Sequence, residues 1–100
     1  MENYKDIYHT FSGSGSDEDV YTVSTNRKLY VTDIILTNKE SSAVLITIKD
    51  GTSTKVEINV DANDTKVMKL SSPISFIDSV KAQVSAYTNG SSITLVGYEL

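Results

Sequence analysis

The sequence predicts an all-β domain, an antiparallel β-sandwich of about eight strands with a jelly-roll-like arrangement. The pattern does not separate a jelly roll from an immunoglobulin-like topology, but eight strands without a Cys/Trp core favour the jelly roll. Short segments in which apolar and polar residues alternate recur along the chain at intervals of about 8 to 12 residues, as in sandwiches and barrels. No window spaces its apolar residues at i, i+3, i+4 and i+7 over the length that an amphipathic helix needs. Val and Ile also far outnumber Leu and Met, and β-branched side chains favour strands.

The clearest strand covers residues 55–60. Val56, Ile58 and Val60 share one face there, and polar residues occupy the other, because successive side chains of a strand point to opposite sides of the sheet. The same period of two predicts strands over residues 44–49, 80–86 and 93–98, in which every second residue, beginning with Val44, Val80 and Ile93, faces the core.

Residues 29–36 form a segment that is apolar on both faces, which is typical of a central strand covered on both sides. Strict alternation places Asp33 on the same face as Leu29, Val31 and Ile35. An unpaired carboxylate buried there would cost several kcal/mol, on the order that isolated buried charges cost. Asp33 is therefore expected to reach solvent, a basic partner or a subunit boundary, and the subunit boundary is favoured.

Weaker alternation predicts the remaining strands over residues 4–11, 20–23 and 65–70. The length of the chain suits one domain over residues 1–100, and residues 1–16 are interpreted as a possible flexible N-terminal arm that could add to the edge of another sheet. The segment 71–79, which holds the only proline, is expected to be irregular.

The connections between the predicted strands carry turn-forming residues. Asp50-Gly51 and Asn89-Gly90 are suited to the positive φ of tight hairpin turns, and polar loops are expected over residues 38–42 and 61–64. Connections this short favour neighbouring strands that run antiparallel.

Composition excludes several classes of function. Nine basic residues against thirteen acidic ones give a net charge of −4, and the basic residues form no cluster, so no nucleic-acid partner is expected. The chain has no cysteine for disulfide or thiol chemistry. No apolar run approaches the length of a membrane span, and the N-terminus has no secretion signal, so we expect no membrane partner and synthesis in the cytoplasm.

No convergent set of catalytic groups is evident, and we expect no enzyme, no cofactor and no metal. His9 is the only histidine, and no Ser or Cys nucleophile motif accompanies it, so it is interpreted as a surface or partner-contact residue. The acidic run Asp17-Glu18-Asp19 could in principle bind Ca²⁺, but it lacks the spacing of a dedicated calcium loop. A solvated acidic loop is the favoured alternative.

Six tyrosines and no tryptophan supply the aromatic residues that could anchor an interface or stack on a sugar. Half-buried rim positions on strands are an equally weighted alternative. The residues interpreted as a partner interface are Tyr4, Tyr8, His9, Tyr30 and Asp33.

The strand Leu29-Tyr30-Val31-Thr32-Asp33-Ile34-Ile35-Leu36-Thr37-Asn38, preceded by Tyr21-Thr22-Val23 and the basic turn Asn26-Arg27-Lys28, is similar to a recurring pattern in small virion proteins of tailed bacteriophages. The resemblance extends through Ile48-Lys49-Asp50-Gly51, Val60-Asp61-Ala62-Asn63 and Leu70-Ser71-Ser72-Pro73-Ile74 to the closing Gly97-Tyr98-Glu99-Leu100. It covers about residues 20 to 100.

The resemblance implies a non-enzymatic structural protein of the virion, because such jelly-roll modules decorate capsids or form parts of fibres and tails, often as trimers. A capsid decoration or auxiliary protein is the favoured interpretation, since the chain starts at Met and shows one module with no shaft, repeat or second domain. The implied partners are copies of itself in a homotrimer and the major capsid protein or another virion protein. The alternative is a carbohydrate- or receptor-binding module of a phage fibre or tail.

Overall fold

The computed structural model describes residues 3–13, 15–86 and 90–100. In these residues no helix is present, and hence none that could span a membrane. The described chain forms eight strands, and the all-β prediction is confirmed. The strands are β1 (Tyr4–Thr10), β2 (Glu18–Thr22), β3 (Leu29–Thr37), β4 (Val44–Asp50), β5 (Ser53–Val60), β6 (Thr65–Phe76), β7 (Ser79–Val84) and β8 (Ser92–Glu99).

The strands form two four-stranded antiparallel sheets, sheet A in the order β1-β8-β3-β6 and sheet B in the order β2-β7-β4-β5. The first strand pairs with the last, the second with the seventh, the third with the sixth and the fourth with the fifth. The chain is thus one long nested hairpin rolled up so that its strand pairs alternate between two sheets. This is the jelly-roll order, and the predicted topology is confirmed.

The core lies between the two sheets and is built by alternation. On β4, β7 and β8 the predicted inward residues within the strands are buried, and on β5 Ile58 and Val60 are buried while Val56 is half-buried. Their neighbours on the same strands face outward. Most of the core is aliphatic. Its largest fully buried side chains are Phe76, Leu29, Ile34, Leu36, Ile46, Ile48, Ile93, Leu95, Val31, Val44, Val60 and Val80.

Strand β3 departs from strict alternation at Thr32. Val31 faces Gly97 and Asp33 faces Val96, so Thr32 is an extra residue opposite β8. This bulge resets the phase, because one inserted residue moves all that follows to the opposite face. Ile34 is therefore buried, while Asp33 points outward. The predicted phase of β3 beyond Val31 and the predicted burial of Asp33 are wrong for this reason.

Strand β6 is longer than predicted and continues to Phe76. Between the pairs Val31–Ile74 and Asp33–Lys69, residues 70–73 of β6 stand opposite a single residue of β3. Pro73 lies within this irregular stretch, as expected of proline on an edge strand. Residues 71–76, predicted to be irregular, thus belong to a strand that resumes after its bulge.

The N-terminal residues that the sequence suggests as a possible arm are held in sheet A. Over residues 4–10, β1 pairs with β8 in continuous register from Tyr4–Tyr98 to Thr10–Ser92. The structure therefore makes this segment an edge strand, and removing it would uncover one edge of β8.

Two polar side chains fix the loops at the ends of the sheets. Asn38, almost fully buried, donates from its side-chain amide to the carbonyls of Ser42, Val60 and Asp61 at 2.9 to 3.1 Å. The Asp50 carboxylate accepts from the amides of residues 77–79 at 2.9 to 3.3 Å. Gly51 has the positive φ, 60°, that its turn prediction requires. Of the other predicted turn, Gly90 also has a positive φ, and Asn89 lies outside the described residues.

Candidate assembly surface

The outward face of sheet A is rich in aromatic, β-branched and hydroxyl side chains. It is called the tyrosine face below. Three of its members are charged, and four are tyrosines. Its members are Tyr4, Asp6, Tyr8, Thr10, Tyr30, Asp33, Ile35, Thr37, Thr65, Val67, Lys69, Ser92, Thr94, Val96 and Tyr98.

Three tyrosines stand in one row across this face. Tyr98 faces Tyr4 on one side and Tyr30 on the other, and directly opposed residues share a face of the sheet. The rings of Tyr30 and Tyr98 stack with centroids 5.4 Å apart and planes 24° apart. Their ring faces are therefore turned toward each other, whereas Tyr4 remains 54% exposed.

A second row crosses the sheet through Tyr8, Thr94, Ile35 and Val67. Tyr8 and Val67, at its two ends, are 66% and 59% exposed. The row below it, Thr10, Ser92, Thr37 and Thr65, carries only hydroxyl side chains. The face thus combines apolar contact area with hydroxyls that can donate and accept hydrogen bonds.

Asp33 lies on this face beside Lys69, with carboxylate and ammonium 3.9 Å apart. Its Oδ1 atom is also 2.8 Å from the Thr32 hydroxyl. The bulge at Thr32 therefore gives Asp33 a basic neighbour and access to solvent, two of the three alternatives expected of it. The favoured alternative, a subunit boundary at Asp33, stays a prediction.

The outward face of sheet B carries closer ion pairs than the tyrosine face. The Lys81 ammonium lies 2.7 Å from the Asp19 carboxylate, and the Lys49 ammonium lies 3.1 Å from that of Asp17. Hydrogen bonding to Lys81 lowers the pKa of Asp19 and raises that of Lys81. Ion pairs of this kind are typical of a solvated surface.

The acidic run at Asp17-Glu18-Asp19 does not gather its carboxylates. Asp17 and Asp19 pair with separate lysines of sheet B, whereas Glu18 turns inward and lies 2.9 Å from His9 Nε2. Within residues 3–13, 15–86 and 90–100, no three His, Cys, Asp or Glu side chains are grouped as metal ligands would be. The run is therefore arranged as two separate ion pairs and one hydrogen bond.

His9 lies apart from the other residues interpreted as a partner interface. Strand alternation places Tyr4 and Tyr8 outward on β1, and His9 faces the other sheet, where its ring also makes an edge-to-face contact with Phe11 at 5.5 Å. Glu18 additionally accepts from the Ser12 and Gly13 amides. Burial raises the pKa of Glu18, but these hydrogen bonds outweigh it, so the pKa is lowered. The interpretation of His9 as a surface or partner-contact residue stays a prediction.

Glu99, the last residue of β8, is 3% exposed. Its carboxylate accepts from the Tyr21 hydroxyl and the Ser24 amide, both at 2.7 Å, and lies 3.8 Å from the Lys5 ammonium. Burial raises the pKa of Glu99, yet the hydrogen bonds and Lys5 together hold it below its ordinary value of 4.5. Burial and Glu99 raise the pKa of Tyr21 to about 12. Sequence alternation alone gave no sign of this cluster.

The lowered pKa of Glu99 predicts a loss of stability in acid. Because the folded-state pKa lies below the unfolded-state value, its contribution is complete above about pH 4.5 and is lost as the pH falls through the folded-state pKa. Glu99→Gln should lower the free energy of unfolding at pH 7 by about 1 to 3 kcal/mol, as expected when a buried donor loses its partner. It should also flatten the pH dependence below pH 4.5. Urea titrations from pH 3 to pH 7 measure both effects. The exposed Glu57→Gln variant serves as control, and equal slopes for the two variants would contradict the assignment.

No pocket opens among the described residues. The tyrosine face offers exposed aromatic, aliphatic and hydroxyl side chains on one side of sheet A. Of the face's members, Tyr98 and Val67 were not singled out from the sequence, although alternation on β8 already placed Tyr98 on the side away from the core.

The fold and this surface define a jelly-roll sandwich with one chemically distinct outward face. No protein-family model and no curated protein sequence matches the chain. Among solved structures, it is similar to a chain from Bacillus endospore appendages, described as a novel family of disulfide-linked pili. The TM-score is 0.61 at 13% identity, and the match covers 97% of this chain and 87% of that one. This likeness shows the fold and is not specific to bacteriophages.

Proposed function

We propose that the chain is a non-enzymatic structural subunit that joins an ordered protein assembly through its tyrosine face. The observation that carries the proposal is the contrast between the two outward faces. Sheet A exposes Tyr4, Tyr8 and Val67 beside three charged residues, whereas the outward face of sheet B carries close ion pairs at Lys49 and Lys81. Contiguous exposed apolar groups mark interaction sites, and tyrosine is enriched among interface anchors.

A protein partner suits this face better than a sugar. Stacking on a sugar needs the flat face of an aromatic ring, and the stacking of Tyr30 on Tyr98 leaves Tyr4 and Tyr8 as the exposed rings of this face. Small ligands also prefer concave sites, and no such site opens in the part of the chain that the structure describes. A flat partner surface can pack on the apolar rows and bond to the hydroxyl row.

The likeness to an appendage chain supports an assembly role in general terms. The Bacillus appendages are described as disulfide-linked pili. This chain has no cysteine, so its own contacts within an assembly would be non-covalent. Many weak identical contacts can still hold a regular array together, because they add across the array.

The more specific form of the proposal is a bacteriophage virion protein that binds and stabilises the assembled capsid. It is supported by the sequence resemblance over about residues 20 to 100. The proposed partners are the major capsid protein or another virion protein together with further copies of the chain, and the proposed location is the virion after synthesis in the host cytoplasm. The net charge of −4 argues against a nucleic-acid partner.

The test is incorporation into particles. A Tyr8→Asp, Val67→Asp double variant should bind capsids lacking the protein at least about 30-fold more weakly, which corresponds to the roughly 2 kcal/mol of an interface hot spot. The matched control, Glu57→Gln with Gln83→Ala, alters the opposite face and should bind like wild type. Circular dichroism should show both variants folded. Equal binding of all three proteins would overturn the proposed face, and attachment to filaments or glycans instead of capsids would overturn the virion form.

A further inference from the structure

Four strands lie at the edges of the two sheets, and three of them are irregular. Strand β2 has five residues, a bulge between Asp19 and Tyr21, and an acidic sequence. Strand β5 has a bulge at Lys55, and its Asn59 carbonyl accepts from the Lys66 ammonium at 2.7 Å. Strand β6 contains the irregular stretch with Pro73. Such features prevent an edge from pairing with another chain.

Strand β1 has none of these features. It runs for seven residues without proline, and its register with β8 is continuous. It is also the terminal strand of sheet A, so one side of its backbone has no neighbouring strand in the part of the chain that the structure describes. An uninterrupted edge is a template for pairing with another extended strand.

The hydrogen bonds at the two ends of β1 show which backbone groups face the open side. The Phe11 amide donates to the Ser91 carbonyl, and the Glu99 amide donates to the Asn3 carbonyl, both at 2.8 Å. Odd-numbered residues therefore bond to β8, since adjacent residues of an antiparallel strand direct their N–H and C=O groups to opposite sides. The even-numbered residues Tyr4, Asp6, Tyr8 and Thr10 direct theirs to the open edge.

We infer that β1 pairs antiparallel with β1 of a second copy about a two-fold axis, which joins the two A sheets into one continuous eight-stranded sheet. A head-to-tail contact would need a second receptive edge, and β2, β5 and β6 are all interrupted. An isologous contact needs only one edge, used twice. A second copy of the chain is then a partner of the proposed structural subunit. Testing this pairing requires neither a capsid nor any other protein.

The side chains select one register for this pairing. With Tyr4 opposite Thr10 and Asp6 opposite Tyr8, all four even-numbered residues of each strand find partners in the other copy. Four facing pairs with two hydrogen bonds each would give about eight backbone bonds. A shift by two residues toward the N-terminus would bring Asp6 against Asp6, and opposed like charges disfavour that register.

This pairing also extends the tyrosine face. A two-fold axis perpendicular to the sheet keeps the outward faces of both copies on the same side. Tyr4 and Tyr8 of each copy then flank the junction, and the doubled face presents both sets of tyrosines to one partner. Two linked faces bind a repetitive partner more tightly than one, because the second contact forms within the same complex.

Proline provides a selective test. Asp6→Pro removes an N–H group that points to the open edge and leaves the β1–β8 hydrogen bonds intact, and proline is tolerated at such positions. Light scattering during gel filtration at about 100 μM should give wild-type protein twice the 10.9 kDa mass of the chain and the Asp6→Pro variant the mass of one chain. Asp6→Ser, which keeps the N–H group, should remain dimeric. Circular dichroism should be the same for all three.

Amide hydrogen exchange provides a readout that does not depend on the variant. In wild-type protein at dimer concentration, the amides of Asp6 and Tyr8 should exchange at least about 100-fold more slowly than in dilute protein, while the Ile7 amide is protected in both. A wild-type monomer at every concentration, a trimer, or an Asp6→Pro dimer would each overturn the inference. Failure of capsid binding with an intact dimer would overturn the proposed function alone.

Discussion

Replacing Gly97 by alanine is expected to lower the free energy of unfolding by about 3 kcal/mol, the upper end of the usual cost of overpacking. A Cβ atom at this buried position of β8 would lie 1.9 Å from the Tyr30 carbonyl oxygen and 3.0 Å from the Val31 Cα atom. Both contacts are with backbone next to the β3 bulge, so no side chain can rotate away to relieve them. Urea denaturation of the purified variant measures the loss.

Gly15→Ala is the matched control for the Gly97 substitution. Gly15 has a φ of +78°, and a Cβ atom there would meet no atom within 4 Å. The expected cost is only the roughly 1 to 2 kcal/mol of a left-handed backbone. If Gly97→Ala were no more destabilising than Gly15→Ala, the close approach of β8 to β3 at this point would be disproved. A disturbed Tyr30–Tyr98 stack, seen as a changed near-ultraviolet spectrum, should accompany the larger loss.

Substitution of Ile58 by lysine is expected to unfold the domain at 25 °C. Ile58 is 6% exposed on the inward face of β5, directly opposite Ile46. A buried ammonium group without a partner costs several kcal/mol, and the substitution also removes the apolar contacts of Ile58, on the order of 2 to 5 kcal/mol. A domain of this size has only about 5 to 15 kcal/mol of stability to lose. Far-ultraviolet circular dichroism and the loss of a cooperative thermal transition report the outcome.

Lys55→Glu tests whether the effect depends on the face of the strand. Lys55 is exposed on the same strand, and surface substitutions usually change stability by no more than about 0.5 kcal/mol. A folded Ile58→Lys protein, or equal losses for the two variants, would show that the inward face of β5 has been misassigned.

Strand prediction succeeded where one face of a strand is apolar and the other polar. On β5, β7 and β8 the alternation indicates both the strand and the face that it buries, because only one orientation buries the apolar residues and leaves the polar ones in solvent. The same rule fails on β3. Apolar residues on both faces hide the inserted Thr32, and nothing in the local sequence marks a bulge that depends on pairing with β8.

Prediction of the candidate site was limited by the same physics. Tyr4 and Tyr8 could be expected to share a face because they are separated by an even number of residues on one strand. His9 could not be placed, since β1 has only Ile7 as an apolar residue on the side that faces the core, between Lys5 and His9. Lys5 faces Glu99, which is distant in sequence, and His9 faces Glu18, which lies on the other sheet. Such pairs arise only from the topology.

The position of β8 between β1 and β3 has a consequence for synthesis on the ribosome. Strands β1 and β3 belong to the same sheet but meet only through β8, which is made more than eighty residues after β1 begins. During translation β1 therefore has both edges open, and sheet A cannot be completed until β8 emerges. Pairings this distant in sequence form slowly, and open strand edges are prone to association until they are paired. Chaperones that hold extended segments should accordingly engage the N-terminal part of the nascent chain, and release should coincide with the closing of β8 against its two neighbours.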